Sequence, residues 1–167
     1  KIKVDSRFFA FKILYQFEKG DKKIPDIKKL VFSNFLKNNN AKLRATVLVN
    51  EIVRFRGRLD LMIMFISGKK LSFLNKKVLI ILRIGFYEII FDRKVPDYAA
   101  VDSSVNLAHK FFNKKTTGFI NAVLRNLVRK KNNDHNWYEE LKYKVGWASV
   151  PAWMEKRWLV NFGKKNL

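Results

Sequence analysis

Apolar residues recur every three or four positions along almost the whole chain. This spacing places them on one face of an α-helix, whereas the strict alternation typical of a half-buried strand is scarce. The chain is 48% hydrophobic over 167 residues, which is enough for one packed core. With three Pro and seven Gly, its composition is not that of a linker. The sequence therefore predicts an all-α domain.

Capping residues, Pro and Gly divide the chain into seven predicted helices. A polar residue precedes most of the apolar stripes, and a Gly or a run of Asn follows several of them. The expected extents are Asp5 or Ser6 to Gly20, about Pro25 through Phe35 and Leu36 to the Asn38–Asn40 run, about Ala41 to Gly57, Arg58 to Gly68, Asn75 to Phe91, about Tyr98 to Phe112, and Thr116 or Thr117 to about residue 131.

The periodicity also assigns inward and outward faces. The fifth helix is apolar on all sides, so we expect it at the centre, capped by Asn75, with Lys76, Lys77 and Arg83 on its solvent side. Asp97 is expected to cap the sixth helix. The third helix is expected to direct five residues inward: Leu43, Val47, Val49, Ile52 and Val53.

The chain changes character after residue 131. The segment "RKKNNDHN" is polar and has no apolar anchor, which predicts a linker. Residues 137–167 hold all four Trp, yet about thirty residues cannot form a core of their own. We therefore expect a helical domain over residues 1–131, followed over 132–167 by a linker and a short Trp-rich extension that docks on the bundle or on a further domain.

Positive charge is in large excess. Lys and Arg number 35 against 14 Asp and Glu, which gives a formal net charge of +21 and a pI near 10.3. Genome composition can enrich lysine but does not deplete acids, so the surplus cations must face water or a ligand. Such a balance predicts attraction to a polyanion, with nucleic acid as the first candidate. A protein-interaction bundle whose charge merely follows composition is the alternative.

Residues for catalysis, metal binding or membrane insertion are hard to find. No Cys is present, which excludes thiolate zinc sites and a cysteine nucleophile from this chain. His109 and His135 lack metal-ligand spacing, and seven scattered Gly form no nucleotide loop. Charges interrupt the longest apolar runs, and no signal peptide is visible. We expect a cytoplasmic protein with no metal or cofactor in this chain and no membrane partner.

Basic residues gather at helix ends and loops, where long side chains can reach phosphates while the helices stay packed. RNA is favoured over DNA because no helix-turn-helix, zinc-finger or basic-zipper pattern is present, and a helical bundle can meet single-stranded RNA through loops and a basic edge. From the residues alone, the interpretation is a basic helical RNA-binding domain.

Four segments stand out in their order along the chain: "SRFFAFKILYQFEKG", "NEIVRFRGRLDLMI", "LRIGFYEIIFDRKVPDYAAVDSSVNLAHKF" and "TTGFINAVLRNLVR". As an ordered set they resemble the NusB family over residues 5 to about 130. The resemblance implies a compact bundle of about seven helices that binds RNA.

Two branches of that family share the pattern. Free-standing NusB proteins act in transcription antitermination and bind RNA together with a ribosomal protein. The other branch is the N-terminal domain of bacterial 16S ribosomal-RNA cytosine-C5 methyltransferases, whose catalytic half needs Cys. The tail "SVPAWMEKRWLVNFG" is similar to the segment that leads into that half. The resemblance therefore implies a non-catalytic domain that positions ribosomal RNA, with S-adenosylmethionine as a cofactor only if a catalytic domain follows.

The resemblance also implies where RNA would be bound. The expected surface lies near the N-terminal helix and its neighbours, and the last helix is expected to add to it. Asn121 is instead expected to satisfy a buried backbone group. The candidate RNA-binding residues are Arg7, Lys12, Arg54, Arg56, Arg58, Arg125 and Arg129.

Overall fold

The computed structural model describes residues 5–20, 22–33, 39–134 and 136–162, and within these ranges every regular element is helical. The prediction of an all-α bundle is confirmed. The elements are α1 (Ser6–Phe17), α2 (Ile24–Ser33), α3 (Asn39–Arg54), α4 (Arg56–Ser67), α5 (Lys76–Ile90), α6 (Asp97–His109), α7 (Lys114–Asn133) and α8 (Ala152–Phe162), with short 3-10 helices at Leu71–Phe73 and Glu139–Tyr143.

Helix α5 is the centre of the bundle, as its uniformly apolar sequence predicts. It packs against α1, α3, α4, α6 and α7, and nearly all its side chains from Val78 to Ile89 are buried. Asn75 caps its first turn by accepting a hydrogen bond from the backbone N–H of Lys77. At Gly85 the three helices α5, α6 and α7 meet closely, because a Cβ there would crowd Ser104 Oγ and the side chain of Leu124.

The prediction that Arg83 lies on the solvent side of α5 was wrong, because its side chain is only 4% exposed. Its Nε and Nη2 donate to the two carboxylate oxygens of Asp60 on α4 at 2.7 and 2.8 Å, and its Nη1 donates to Glu18 at the end of α1 at 2.8 Å. Burial would lower the pKa of Arg83, but its hydrogen bonds and charge attraction to Asp60 and Glu18 outweigh burial and raise it.

Helix α3 presents a different face to the core from the one the sequence predicts. Its buried residues are Ala45, Leu48, Val49 and Ile52. Leu43 is 67% exposed and Val47 is 47% exposed, because these two residues, four apart, form a stripe of their own beside the buried one. The expectation that both point inward was wrong.

Several predicted helix ends shift. Asn39 and Asn40 begin α3, and Gly57 lies in the first turn of α4 rather than ending α3. Helix α7 starts at Lys114 with Asn113 as its cap, not Thr116 or Thr117. The predicted continuation of the second helix through Phe35 and Leu36 to Asn38 lies outside the described residues, as does His135.

The polar segment after residue 128 is more ordered than a linker. Helix α7 runs on to Asn133, which covers five of the eight residues of "RKKNNDHN". Lys131 in this stretch donates to the carbonyl oxygen of Ile89 at 2.8 Å and to the carboxylate of Asp97 at 2.8 and 3.1 Å. Asp97 therefore links α6 to α7 through Lys131. The prediction that Asp97 caps α6 was wrong, because the cap position is occupied by Pro96.

The C-terminal extension packs on the bundle at its near end. Trp137 is buried and stacks on Phe65 of α4 with a centroid distance of 5.8 Å, and Leu141 joins the same core. Trp147 is half-buried, whereas Trp153 and Trp158 on α8 are exposed. Among the described helices, none is long and apolar enough to cross a membrane.

Replacing Asp60 by Ala is predicted to destabilise the fold by about 2–4 kcal/mol, because the buried Arg83 guanidinium then loses two of its hydrogen bonds and half of its charge compensation. Urea unfolding followed by circular dichroism measures the effect. The matched control is Asp102→Ala on the exposed side of α6, for which the change should stay within about 0.5 kcal/mol. Equal losses in the two variants would contradict the role of this ion pair.

Candidate nucleic-acid interface

A row of aromatic rings joins α1 to the end of α6. Phe8, Phe11 and Tyr15 are three and four residues apart, so they share one face of α1. Phe111, just after α6, stacks on Phe11 at 4.5 Å and on Phe8 at 6.5 Å between ring centroids, and Phe11 stacks on Tyr15 at 6.0 Å. The ring row is continuous across the two helices.

Four lysines cover these rings. The Nζ atoms of Lys12 and Lys110 lie 5.0 and 4.9 Å from the centroid of Phe8. Lys77, at the start of α5, lies over both Tyr15 and Phe111 at 5.5 and 5.6 Å, and Lys19 lies 5.2 Å from Tyr15. We call this the lysine–aromatic surface, made up of Phe8, Phe11, Tyr15, Phe111, Lys12, Lys19, Lys77 and Lys110.

The aromatic rings of this surface contact the lysine ammonium groups and are largely inaccessible to a ligand. Phe8 and Phe11 are buried, so their faces are not free for stacking by a base, whereas Tyr15 is half-buried. Each cation–π contact is worth roughly 0.5–1 kcal/mol at an exposed site and does not neutralise the cation. The surface therefore presents a set of positive charges in positions that the core beneath them restrains.

Of the residues predicted to contact RNA, Lys12 belongs to this surface. Arg54 and Arg56 lie together at the junction of α3 and α4 and are both exposed. The guanidinium carbon of Arg54 lies 5.6 Å from the ring centroid of Phe55, and its Nη1 lies 3.8 Å from Glu51 Oε1. The Nη2 of Arg56 lies 3.1 Å from Glu18 Oε1. Both guanidinium groups thus keep much of their solvent-facing surface.

Arg7 is engaged inside the fold. Its Nε donates to Glu88 Oε2 at 2.8 Å, and Glu88 is buried on α5. Arg44 of α3 lies 3.5 Å from the other oxygen of Glu88 and also pairs with Asp92. Burial raises the pKa of Glu88 above its ordinary value, although Arg7 and Arg44 act to lower it. Whether Arg7 also reaches RNA stays a prediction.

Arg58 holds the C-terminal extension. Its guanidinium lies between the rings of Phe55 and Trp147, at 5.3 and 5.4 Å, and its Nε donates to the carbonyl oxygen of Trp147 at 3.0 Å. The backbone N–H groups of Gly57 and Arg58 donate to Ser149 Oγ at 3.0 and 3.4 Å. A Cβ at Gly57 would overlap the carbonyl oxygen of Gly146, so the extension lies directly on this backbone.

Arg125 and Arg129 lie on the exposed side of α7. The Nε of Arg125 donates to Asn121 Oδ1 at 3.2 Å, and the Nη2 of Arg129 donates to Asn126 Oδ1 at 3.0 Å. Asn126 also donates to the carbonyl oxygen of Ile66 near the end of α4, at 3.2 Å. The backbone-satisfying role expected of Asn121 is thus filled by Asn126, five residues further along α7.

Sequence reasoning left Lys19, Lys77 and Lys110 out of the predicted site. A signal for part of the surface was present, because Phe8 with Lys12 and Tyr15 with Lys19 are both aromatic–lysine pairs four residues apart. Lys77 and Lys110 come from other helices, and only the packing of α1 on α5 and α6 brings them to the rings. Among the described residues, no group of three or more acidic or histidine side chains could hold a metal ion.

A helical bundle with a fixed array of cations beside a row of rings defines a candidate nucleic-acid-binding protein. The NusB family profile matches residues 4–129. The chain therefore belongs to the NusB family, and the resemblance noted in its sequence is confirmed.

Individual relatives come from both branches of the family. The chain is 30% identical over 131 residues to "Transcription antitermination protein NusB" of Clostridium novyi, which covers 74% of this chain and 96% of that protein. It is 38% identical over 63 residues to the protein of the same name from Lacticaseibacillus casei, a match that spans about half, 47%, of that relative's length. It is also 28% identical over 144 residues to "Probable ribosomal RNA small subunit methyltransferase B" of Bacillus subtilis, covering 82% of this chain and 30% of the enzyme.

A solved structure shares the fold. It is described as "Crystal Structure of a Plectonemic RNA Supercoil", and its matching chain has a TM-score of 0.71 and 25% sequence identity to this protein. The match covers 77% of this chain and 95% of the other.

The buried Glu88 is predicted to make stability fall with rising pH. Between the ordinary carboxyl pKa and the raised one, the folded protein keeps a proton that the unfolded chain releases, so unfolding becomes easier as pH rises. Measured by urea unfolding from about pH 4 to pH 7, the stability of the wild type relative to Glu88→Gln should therefore decrease. A difference that stays constant over this pH range would contradict the raised pKa of Glu88.

Replacing Arg58 by Ala is predicted to release the extension from α4, because the stacking on Trp147 and a charged hydrogen bond are both lost. Cleavage by chymotrypsin after Tyr143 or Trp147 should become about tenfold faster. Arg54→Ala, which removes a guanidinium from the same junction without touching the extension, should leave the cleavage rate unchanged. Equal rates in all three proteins would show that Arg58 does not hold the extension.

Proposed function

We propose that this protein binds single-stranded RNA and acts in transcription antitermination, as the names of its NusB relatives suggest. The observation that carries the proposal is the lysine–aromatic surface on a NusB bundle. In the described part of the chain, Lys12, Lys19 and Lys77 pair with rings and form no ion pair with a carboxylate. Their charges are therefore available to phosphate groups, which dominate the affinity of proteins for nucleic acids.

The residues that would bind RNA are the exposed cations on two neighbouring surfaces. The lysine–aromatic surface would make the first set of phosphate contacts. Arg54 and Arg56 would extend the contacts along the junction of α3 and α4, where both side chains are exposed. Glu18 pairs with Arg56 as well as with buried Arg83 and so restrains the position of Arg56. Chemistry on the RNA is not part of the proposal. The same role carries with it a cytoplasmic location and a ribosomal protein as a second partner.

A methyltransferase role is the second candidate, and one observation favours it. The match to the Bacillus subtilis enzyme covers 82% of this chain, against 74% for the match to the Clostridium novyi protein. In that case the bundle would position ribosomal RNA for a catalytic domain that binds S-adenosylmethionine. The near-complete coverage of the Clostridium novyi protein supports the antitermination role more strongly.

Two measurements separate these roles. Joint binding of a ribosomal protein and an antitermination RNA, tighter than either alone, is expected under the first. Under the second, the reading frame beyond Leu167 should encode a glycine-rich nucleotide loop and a Pro-Cys motif. An immediate stop codon would count against the enzyme.

Removing two cations from the lysine–aromatic surface is predicted to weaken RNA binding. With about five phosphates neutralised, the slope of log affinity against log salt on a single-stranded 12-mer should be near −3.5 for the wild type. The double variant Lys12→Ala/Lys77→Ala should bind about tenfold or more weakly at low salt, with a slope less steep by about 1.4. Fluorescence anisotropy of labelled RNA measures both quantities.

The control for that experiment is Lys22→Ala/Lys29→Ala, which removes the same charge from exposed positions around α2. It should keep the wild-type slope. A wild-type slope near zero would overturn the proposal, and equal weakening in the two double variants would show that net charge, not this surface, attracts the RNA.

A further inference from the structure

An open groove lies between α6 and α7, away from the residues of the lysine–aromatic surface. Its volume is about 630 Å³, within the range of pockets that hold small organic ligands. Val101 and Val105 of α6 and Val128 of α7 give it an apolar floor. Such a floor favours a flat, largely apolar group over a bare ion.

Tyr98 forms one wall of the groove at the start of α6. Its side chain is 79% exposed, and no ring contact or hydrogen bond engages it in the part of the chain that the structure describes. Residues 98, 101 and 105 are spaced three and four apart, so the phenol ring continues the same stripe of α6 as the valines below it. The ring is therefore available to stack on a planar group that enters from solvent.

Arg125 and Arg129 form the opposite wall. Both donate to asparagine side chains, and neither forms an ion pair with a carboxylate among the described residues. Each guanidinium thus keeps its full charge and has further N–H groups free. The acid in the lining, Asp102, accepts a hydrogen bond from Asn106 at 2.9 Å.

We propose that this groove binds one unstacked nucleotide of single-stranded RNA. The base stacks on Tyr98 above the valine floor, while Arg125 and Arg129 contact its phosphate and the next one. This inference deepens the proposed function and rests on it. The groove would contact a base, whereas the lysine–aromatic surface would contact only phosphates.

The composition of the rim argues for a nucleotide rather than a partner helix. A groove for an amphipathic helix needs a largely apolar rim that seals against the helix. Here the polar lining consists of a phenol, two guanidinium groups, the amide of Asn121 and the carboxylate of Asp102, which Asn106 engages. The phenol suits a base, and the two guanidinium groups outnumber the one carboxylate and suit a phosphate. A duplex would not fit, since its bases are stacked inside, so the site selects single strands.

The test is anisotropy titration of a labelled 12-nucleotide oligouridine with the full chain. Tyr98→Ala should weaken binding about fivefold or more, as expected for the loss of one stacked base, whereas Tyr98→Phe keeps the ring and should stay within about twofold of the wild type. On an abasic 12-mer with the same phosphates, Tyr98→Ala should have no effect. Because Tyr98 is exposed, thermal melting should show all three proteins equally folded.

The arginine wall is tested with Arg125→Ala/Arg129→Ala against the charge-matched Lys22→Ala/Lys29→Ala. The arginine variant should reduce the salt slope by about 1.4 on both oligouridine and the abasic 12-mer, and the control should not. Duplex RNA should bind the wild type and Tyr98→Ala equally.

The outcomes separate this inference from the function on which it rests. If the wild type binds no RNA, both fail. If Lys12→Ala/Lys77→Ala weakens binding while the groove variants bind oligouridine like the wild type, the nucleotide site is overturned and the function stands. If the groove variants instead lose only the binding of a ribosomal protein, the groove belongs to a protein partner and the nucleotide site is likewise overturned.

Discussion

Helix α5 carries two charged side chains into the core, and each has to find its partners there. Arg83 is paired with Asp60 and Glu18, and Glu88 with Arg7 and Arg44. An unpaired charge at either position would cost several kcal/mol, so the surrounding helices can take only arrangements that bring the partners in. Arg7 and Glu18 lie at opposite ends of α1. That helix is therefore clamped to α5 at both ends, which fixes the direction in which its aromatic face points.

Arginine and lysine occupy different places in this arrangement, with arginine in the internal ion pairs and lysine over the aromatic rings. The planar guanidinium can satisfy two or three acceptors at once, and buried Arg83 uses it in that way by donating to both oxygens of Asp60 and to Glu18. Half-buried Arg44 lies close to both Asp92 and Glu88, and Arg7 donates to Glu88. The compact ammonium of lysine stays hydrated, and the residues over the ring row are all lysines. Because each internal ion pair takes up a carboxylate together with a cation, the pairing inside the bundle leaves the net charge of +21 for the outer surface.

Periodicity was sufficient for the order of the seven helices of the bundle and for the central position of α5, because both depend on local spacing. It failed where partners come from elsewhere in the chain. Arg83 looks solvent-facing beside Lys76 and Lys77 until Asp60 is placed opposite, and Leu43 differs from buried Leu48 only in what packs against it. Of the candidate site, Lys12 could be found from α1 alone. Lys77 and Lys110 could not, because their contribution exists only once three helices have packed.

The contact between the extension and α4 depends on two positions that lie far apart in the chain. Phe55 at the start of α4 supplies no side-chain cap. Ser149, which lies 91 or more residues away, instead accepts hydrogen bonds from the backbone N–H groups of Gly57 and Arg58. Ser149 itself has a left-handed backbone conformation with φ 58°. Position 57 must lack a side chain for Gly146 to approach. Glycine at 57 and the hydroxyl at 149 thus depend on each other, because a side chain at 57 would displace the segment that carries Ser149 and leave two backbone N–H groups of α4 without their acceptor.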